Sequence, residues 1–401
     1  MISHLTDAKS DGYSTNNRIT FVTGGKHYFN HLQQLINCAQ STLHLQTYIF
    51  KEDETGRIVA DALIQAAQRG VKVFLMVDGY ASQSLSKEFI NQLRSKGVYF
   101  KFFEPLFRSR KFYLGRRLHH KVCVADLNFA LVGGINIADH YNDIPGNPPW
   151  LDFALSVEGE IVQELYVLCQ KTWNGFQPMK KIPLLRNVPT FSIPEDVQTN
   201  VRMRRNDWVR RKDQITLSYL DMFRSAQSEI IILSSYFLPG RLFRKGIRFA
   251  RKNNVSVTVI VTSISDVKIA KMAERHMYDW LLSNGVRIME YNLTVLHGKL
   301  AICDKEWVTL GSFNVNDIST YASVELNLDV KNPSFASEVR QYLEKEVMSN
   351  STIISDTYVA KNNSFLVRMS QKGAFMIFRV LFYFFTFYFK RMVDIDKKSP
   401  H

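Results

Sequence analysis

The chain has 401 residues, 46% of them hydrophobic and 22% charged, enough for a sizeable core and for two domains of ordinary size. Such a globular composition excludes a disordered chain. Lysine and arginine number 51 against 37 aspartate and glutamate, a net charge of +14, so the expected partner is anionic, either a membrane leaflet or a nucleic acid.

The first eighteen residues are polar and hold no apolar stretch, so no secretory signal is expected. Cys38, Cys123, Cys169 and Cys303 follow no disulfide spacing and are expected as free thiols in a reducing compartment. A short helix over 31–40 leads into LHLQTYIF, a strand over 43–50 rich in aromatic and β-branched residues. After a turn, Ile58, Ala62 and Ala66 recur at helical spacing over 57–69, and Gly70 ends the run. VKVFLMVDG is a buried strand over 71–79, residues 84–97 form a helix, and VYFKFF is a further strand. This alternation predicts a largely parallel sheet. The segment 107–118, FRSRKFYLGRRL, is a basic and aromatic loop that either contacts lipid phosphates or is simply solvated.

Residues 118–136, LHHKVCVADLNFALVGGIN, share their register with residues 296–314, LHGKLAICDKEWVTLGSFN. Each copy places His, Lys, Asp, Gly, Gly or Ser, and Asn at the same intervals, with the histidines 178 residues apart, so the repeat is a domain and not a solenoid unit. Apolar residues alternate with His119 and Lys121, and with His297 and Lys299, so each pair lies on one face of a strand. Asp126 and Asp304 fall on the opposite parity or past the strand end and are expected to brace a turn. As members of the motif they are kept in the catalytic set of His119, Lys121, Asp126, His297, Lys299 and Asp304.

Lys121, Asn136, Lys299 and Asn314 are the expected phosphate binders. Two such halves face to face would surround a tetrahedral anion with donors and put an imidazole on either side. That suits in-line displacement at a phosphodiester, with one histidine attacking phosphorus and the other protonating the leaving alkoxide. The lysines would neutralise the transition state, so neither a metal nor a cofactor is expected.

These motifs resemble the doubled HKD signature of the phospholipase D superfamily, and within it the bacterial cardiolipin synthases. The resemblance covers about residues 28–348. It implies a nucleophilic histidine at His119 and acid/base work at His297. It also implies a supporting acid near Trp150, so Asp152 is the candidate for the first half and Glu325 its counterpart in the second. SSYF at 234–237 resembles the family's TPYF with Ser235 in place of proline, while Asn316, Ile318 and Ser323 depart from the pattern.

The remaining elements repeat the first plan. Strand 151–157 and helix 161–173 close the first half; Pro178, Pro183, Pro189 and Pro194 punctuate a connection, followed by RMRRNDWVRRK, whose charges face phosphate or water. Then come helix 214–225, strand 229–237, helix 241–252, strand 255–263, helix 267–283 and strand 286–291. The tail segment GAFMIFRVLFYFFTFYF, 373–389, is apolar around most of a helical wheel, and is expected to attach to a membrane, span it imperfectly or mediate dimerisation.

The expected architecture is α/β: two pseudo-symmetric phospholipase D-like domains, 1–176 and 213–351, each a mixed sheet flanked by helices, with a linker at 177–212 and a tail at 352–401. The active site is expected at their interface. The resemblance implies phosphatidyl transfer from two phosphatidylglycerols to cardiolipin on the cytoplasmic face of the cell membrane, with anionic phospholipid as substrate and nucleic acid not obligatory. The alternatives are a phosphodiesterase or nuclease with water as acceptor and, from another class, a catalytically silent membrane scaffold.

Overall fold

The computed structural model describes residues 12–105, 116–176, 192–316, 319–320, 323–362 and 364–396, and the side chains of 360–362 and 381–396 lie outside that description. In chain order the first half runs β1 (Asn17–Thr23), α1 (Lys26–Cys38), β2 (Thr42–Thr47), α2 (Glu54–Gln68), β3 (Lys72–Asp78), α3 (Lys87–Ser95) and β4 (Tyr99–Phe103). It continues through β5 (Arg117–Leu118), β6 (Lys121–Ala125), β7 (Phe129–Gly133), β8 (Phe153–Gly159) and α4 (Ile161–Trp173). The helices start where side chains cap them: Asp53 accepts from the Gly56 N–H and Ser86 from the Phe89 N–H. Val59, Leu63 and Ala66 then bury one stripe of α2. The sheet order is β1-β8-β7-β6-β2-β3-β4; β2, β3 and β4 are parallel as the alternation predicts, and the rest is antiparallel.

The second half runs β9 (Asn200–Asp207), β10 (Lys212–Asp213), α5 (Gln214–Ser225), β11 (Glu229–Ser234), α6 (Arg241–Lys252), β12 (Ser256–Thr262), α7 (Lys268–His276) and α8 (Tyr278–Ser283). After these come β13 (Arg287–Tyr291), β14 (Lys299–Cys303), β15 (Trp307–Gly311), β16 (Ser323–Lys331), α9 (Pro333–Tyr342), β17 (Ser351–Ile354), α10 (Asp356–Asn362) and α11 (Phe365–Asp396). Their sheet has ten strands, nine in the order β10-β9-β16-β15-β14-β11-β12-β13-β17, with β5 of the first half pairing with β16.

The two sheets share a core. Val122, Val132 and Leu155 of the first pack in one cluster with Leu300, Leu310 and Leu328 of the second, and α4 and α9 pack into it. Separate clusters bind α1, α2 and α3 to the outer face of the first sheet, and α5, α6 and α8 to that of the second. The result is helices, sheet, sheet, helices. Each fully buried leucine or valine in the inner layer contributes about 1.5–3 kcal/mol, so the halves do not part cheaply.

Several boundaries depart from the sequence reading. Residues 200–207 are not linker: β9 pairs with β16 from Glu325 to Lys331, and Arg202 and Arg204 are spent internally on buried Asp329. Of the basic loop, residues 107–115 lie outside the described residues, while Arg116 is buried against Asp207 at 2.8 Å and Arg117 pairs with Asp78. The single helix expected over 267–283 breaks at Met277 into α7 and α8. β1 was not foreseen, and β17 carries the second sheet into the presumed tail. The tail helix α11 starts before residue 373 and packs against α7, with Gln371 and Ala374 buried and the Phe375 ring 4.9 Å from His276. Among the described residues no helix is long and apolar enough to cross a membrane.

The two motif aspartates do not reach the site. Asp126 accepts from the backbone N–H groups of Gln40, Ser41 and Thr42 at 2.5–2.7 Å, at the amino end of β2. Asp304 does the same for Gln227, Ser228 and Glu229 at the start of β11. Burial works against its charge, yet those backbone donors hold the Asp304 carboxyl below the usual range. Both aspartates brace the turn and leave the catalytic set, because the hairpin ends a strand's length from the histidines. Asp126→Ala should therefore lower unfolding free energy by roughly 2 kcal/mol in urea titration, with turnover per folded molecule retained.

Candidate active site

Each motif histidine sits just before its strand and is stitched to the other half. The His119 N–H donates to the Val324 carbonyl at 3.0 Å, beside the parallel pairing of β5 with β16. In the mirror arrangement the N–H groups of His297 and Gly298 donate to the Leu151 carbonyl at 2.7 and 2.9 Å. One residue further along each stitched segment stands an acid, Glu325 or Asp152. The pairing of acids and imidazoles is consequently crossed.

His119 Nδ1 lies 2.9 Å from Glu325 Oε2, and His297 Nδ1 lies 2.5 Å from Asp152 Oδ2. The sequence reading assigned Asp152 to the first-half histidine and Glu325 to the second; the structure reverses this. Both carboxylates are fully buried. Burial alone would raise the Asp152 carboxyl, but the Lys299 ammonium and His297 bring it below its usual value. In the tautomer in which Nδ1 donates to the acid, Nε2 of each ring is left as the nucleophilic or basic nitrogen.

Lys121 and Lys299 complete the centre. Lys121 Nζ donates to the His119 carbonyl at 2.6 Å; Lys299 Nζ donates to the His297 carbonyl and lies 2.8 Å from its Nδ1. Burial first, and then the Lys299 charge, brings Lys121 down to about 7, and burial brings Lys299 down to about 8. His297 falls to about 3, chiefly through burial and then through the Lys299 charge, with Asp152 opposing. His119 is lowered by burial, with Glu325 opposing. Two lysines and two imidazoles thus converge where a bound anion would favour the ammonium forms.

The two asparagines are brought to the site in unequal states. Asn136 is engaged at both ends, its Oδ1 accepting from the Ile49 N–H and its Nδ2 donating to the Tyr141 hydroxyl at 2.8 Å. Asn314 Oδ1 is buried without a partner among the described residues. The Gly-or-Ser position of the motif also has a physical reason. A Cβ at Gly134 would lie 2.3 Å from Asp152 Oδ1, whereas Ser312 fits and donates its hydroxyl to Glu325.

Sequence reasoning missed the aromatic wall. The Tyr48 ring meets His119 edge-on at 4.9 Å and lies under the Lys121 ammonium, while Tyr141 and Trp150 flank His297 at 5.2 and 5.9 Å. Tyr48 lines up with Ser235 of the second half and Tyr141 with Ser319, so the repeat announces neither. Among the described residues no group of three or more histidine, cysteine or acidic side chains could hold a metal.

The family described as "Cardiolipin synthase, PLD-like domain" matches residues 32–144 and 219–347. Cardiolipin synthase B of Salmonella typhimurium is 32% identical over 354 residues, 87% of this chain and 85% of the relative. A cardiolipin synthase of Halalkalibacterium halodurans is 30% identical over 337 residues, 81% of this chain and 65% of that protein. Among solved structures, a phosphatidylserine synthase of Haemophilus influenzae superposes with a TM-score of 0.69 at 15% identity, covering 90% of this chain and 93% of that one, a likeness of fold.

Anion affinity should follow the lysines. Sulfate, which keeps its charge over this range, should bind by calorimetry about tenfold or more weakly at pH 9 than at pH 6, because the ammonium forms are lost as pH rises through about 7 and 8. Proton uptake should accompany binding in between; a flat affinity would mean that both lysines stay charged without a ligand.

Proposed function

The chain belongs to the cardiolipin synthase, PLD-like domain family, and from that premise we propose that it makes cardiolipin from two phosphatidylglycerols, releasing glycerol. It is a phosphatidyltransferase-type enzyme of the phospholipase D superfamily acting on phospholipid. The observation that carries the finer reading is the likeness to a cardiolipin synthase along 87% of the chain. The crossed site supplies the means.

His119 Nε2 attacks the phosphorus of the first phosphatidylglycerol, and the bond from phosphorus to the head-group glycerol breaks. His297 gives that alkoxide its proton. A head-group hydroxyl of the second phosphatidylglycerol then loses its proton to His297 and attacks the phosphohistidine; the N–P bond breaks and cardiolipin leaves. Glu325 and Asp152 hold the two imidazoles in the tautomer that each step needs. His297, depressed chiefly by burial and then by Lys299, is too acidic in the empty site to carry a proton; a bound phosphodiester anion would offset the lysine charge and raise it. Lys121, Lys299 and Asn314 bind the phosphoryl oxygens, with Asn136 acting through its neighbours.

Transfer in preference to hydrolysis is supported by how little water reaches the centre. The side chain of His119 is 14% exposed, that of His297 9% and that of Lys299 0%. In this reading the catalytic halves correspond to the two sheets, and the protein works on the membrane surface. α11 contributes its outer face: Leu366, Met369, Met376, Ile377 and Val380 are exposed on the side opposite Ala374 and Phe378, an apolar stripe suited to lying in the headgroup region.

Phosphatidylglycerol vesicles incubated with the protein should yield cardiolipin and free glycerol by mass spectrometry, and His119→Ala should abolish both with the fold intact. Phosphatidic acid as the sole product would make the enzyme a hydrolase. Paired Met376→Glu and Val380→Glu changes should cut sedimentation with those vesicles several-fold; unaltered sedimentation would remove α11 from the membrane contact.

A further inference from the structure

Nearly every group in the centre has a counterpart across the pseudo-twofold axis, and Tyr141 does not. It stands five residues after Asn136, in the loop that follows β7, and is 1% exposed. Five residues after Asn314 the chain has Ser319. The Tyr141 oxygen already accepts from Asn136 Nδ2 at 2.8 Å, so its own proton is free to point elsewhere. His297 Nε2 lies 3.4 Å from that oxygen, with the two rings edge to face at 76°. Asp152 Oδ2 lies 2.5 Å from Nδ1, and in the tautomer in which Nδ1 donates to it the nitrogen facing the phenol is a lone pair.

We propose that the Tyr141 hydroxyl is a positioning group for His297, donating to its Nε2 and so making the two imidazoles unequal: one held in reserve for protons, the other left bare to attack phosphorus. The donor is permanent. Burial, and after it the Asp152 charge, lifts the phenol well above its ordinary value, so it does not ionise in the working range. Asn136 is then the outer member of a chain from amide to phenol to imidazole, which explains why a motif asparagine has no free end to offer phosphate. On the other side, Asn314 keeps its oxygen unpartnered. His119 meets only the edge of the Tyr48 ring, and no hydrogen bond to its Nε2 is found among the described contacts.

A neutral Nε2 that loses a hydrogen-bond donor becomes more basic, so the sign of the effect is fixed. The charged and titratable groups facing His297 are Lys299 on its own strand, Asp152 from the segment before β8, Lys121 from the first motif and Tyr141 itself. Tyr141 is in turn faced by Asp152, Asp266 and Tyr236. Of this set Tyr141→Phe removes only the hydroxyl, which also leaves Asn136 Nδ2 without its acceptor.

The test is Tyr141→Phe on the full chain, read first without substrate. In long-range ¹⁵N spectra of the histidine-labelled protein at pH 7.5, with His297→Gln used for assignment, the Nε2 resonance of His297 should move downfield toward that of a bare lone pair while His119 stays in place. A His297 resonance that does not move overturns the proposal. Should the variant fail to keep the wild-type thermal melt, 3-fluorotyrosine at position 141, a stronger donor of nearly the same shape, should move the same resonance upfield, and no movement again overturns it.

The kinetic arm rests on the acid/base role proposed above for His297. On phosphatidylglycerol vesicles Tyr141→Phe should lower kcat by about tenfold with KM little changed, and shift the acidic limb of the pH profile to higher pH. A loss of activity with an unshifted limb would reduce Tyr141 to packing. Because the spectrum needs no substrate, a chain inert toward phosphatidylglycerol would sink the function proposed above and leave this inference to stand or fall by the resonance.

Discussion

Two buried carboxylates, each bonded to a histidine of the opposite half, are the constraint on which the rest of the molecule turns. A fully buried carboxylate left alone costs several kcal/mol, and breaking such a pair by removing one partner typically costs about 3–5 kcal/mol. Neither half can therefore offer its acid to solvent, since Glu325 and Asp152 each find their histidine across the interface. The short backbone pairings at 117–118 with 323–324 and at 151 with 296 hold the acids within reach. The shared inner core follows, because two sheets so stitched must bury their facing sides against one another.

The same economy of charge explains where the chain's excess of arginine goes. Arg116 and Asp207, buried at 4% and 0% exposure, tie the entrance of the first motif to a strand of the second sheet. Arg202 and Arg204 converge on Asp329 within that sheet. Part of the basic segments that composition would assign to an anionic surface is therefore structural. At the centre two ammonium groups face each other with burial depressing both. A phosphodiester would favour their charged forms, whereas a neutral ligand would not.

Much of this was legible in the sequence, for reasons that differ by element. The parallel stretch of the first sheet followed from alternating helices and strands, and both histidines and both lysines from a register repeated 178 residues on. Asp126 and Asp304 show the limit of a motif: its spacing is fixed by a turn as well as by chemistry, and three backbone N–H groups claim each carboxylate. The crossing of Asp152 and Glu325 was not legible, because sequence order places each acid beside the histidine of its own half while the pairing runs through space. β9 hid in a run of charges, since a strand whose arginines meet a buried aspartate has no apolar alternation to announce it. Tyr141 hid because the second half has Ser319 in its place and so offers no repeat to flag it.

Duplication alone would give a symmetric site, and a symmetric site is poorly suited to the proposed reaction, in which one imidazole attacks and the other holds a proton. The site departs from symmetry at several of its groups. Asp152 stands against Gly134 and accepts from the Phe153 N–H, while the longer Glu325 takes a hydroxyl from Ser312, so the two supporting carboxylates differ in which donors they satisfy besides the imidazole. One asparagine is consumed by a phenol and the other keeps a free oxygen. The imidazole next to that phenol is the one driven furthest from its ordinary basicity, which a bound anion would then restore. Small differences placed within hydrogen-bonding distance of two equal groups are enough to divide the labour between them, because each such contact shifts one protonation state relative to the other.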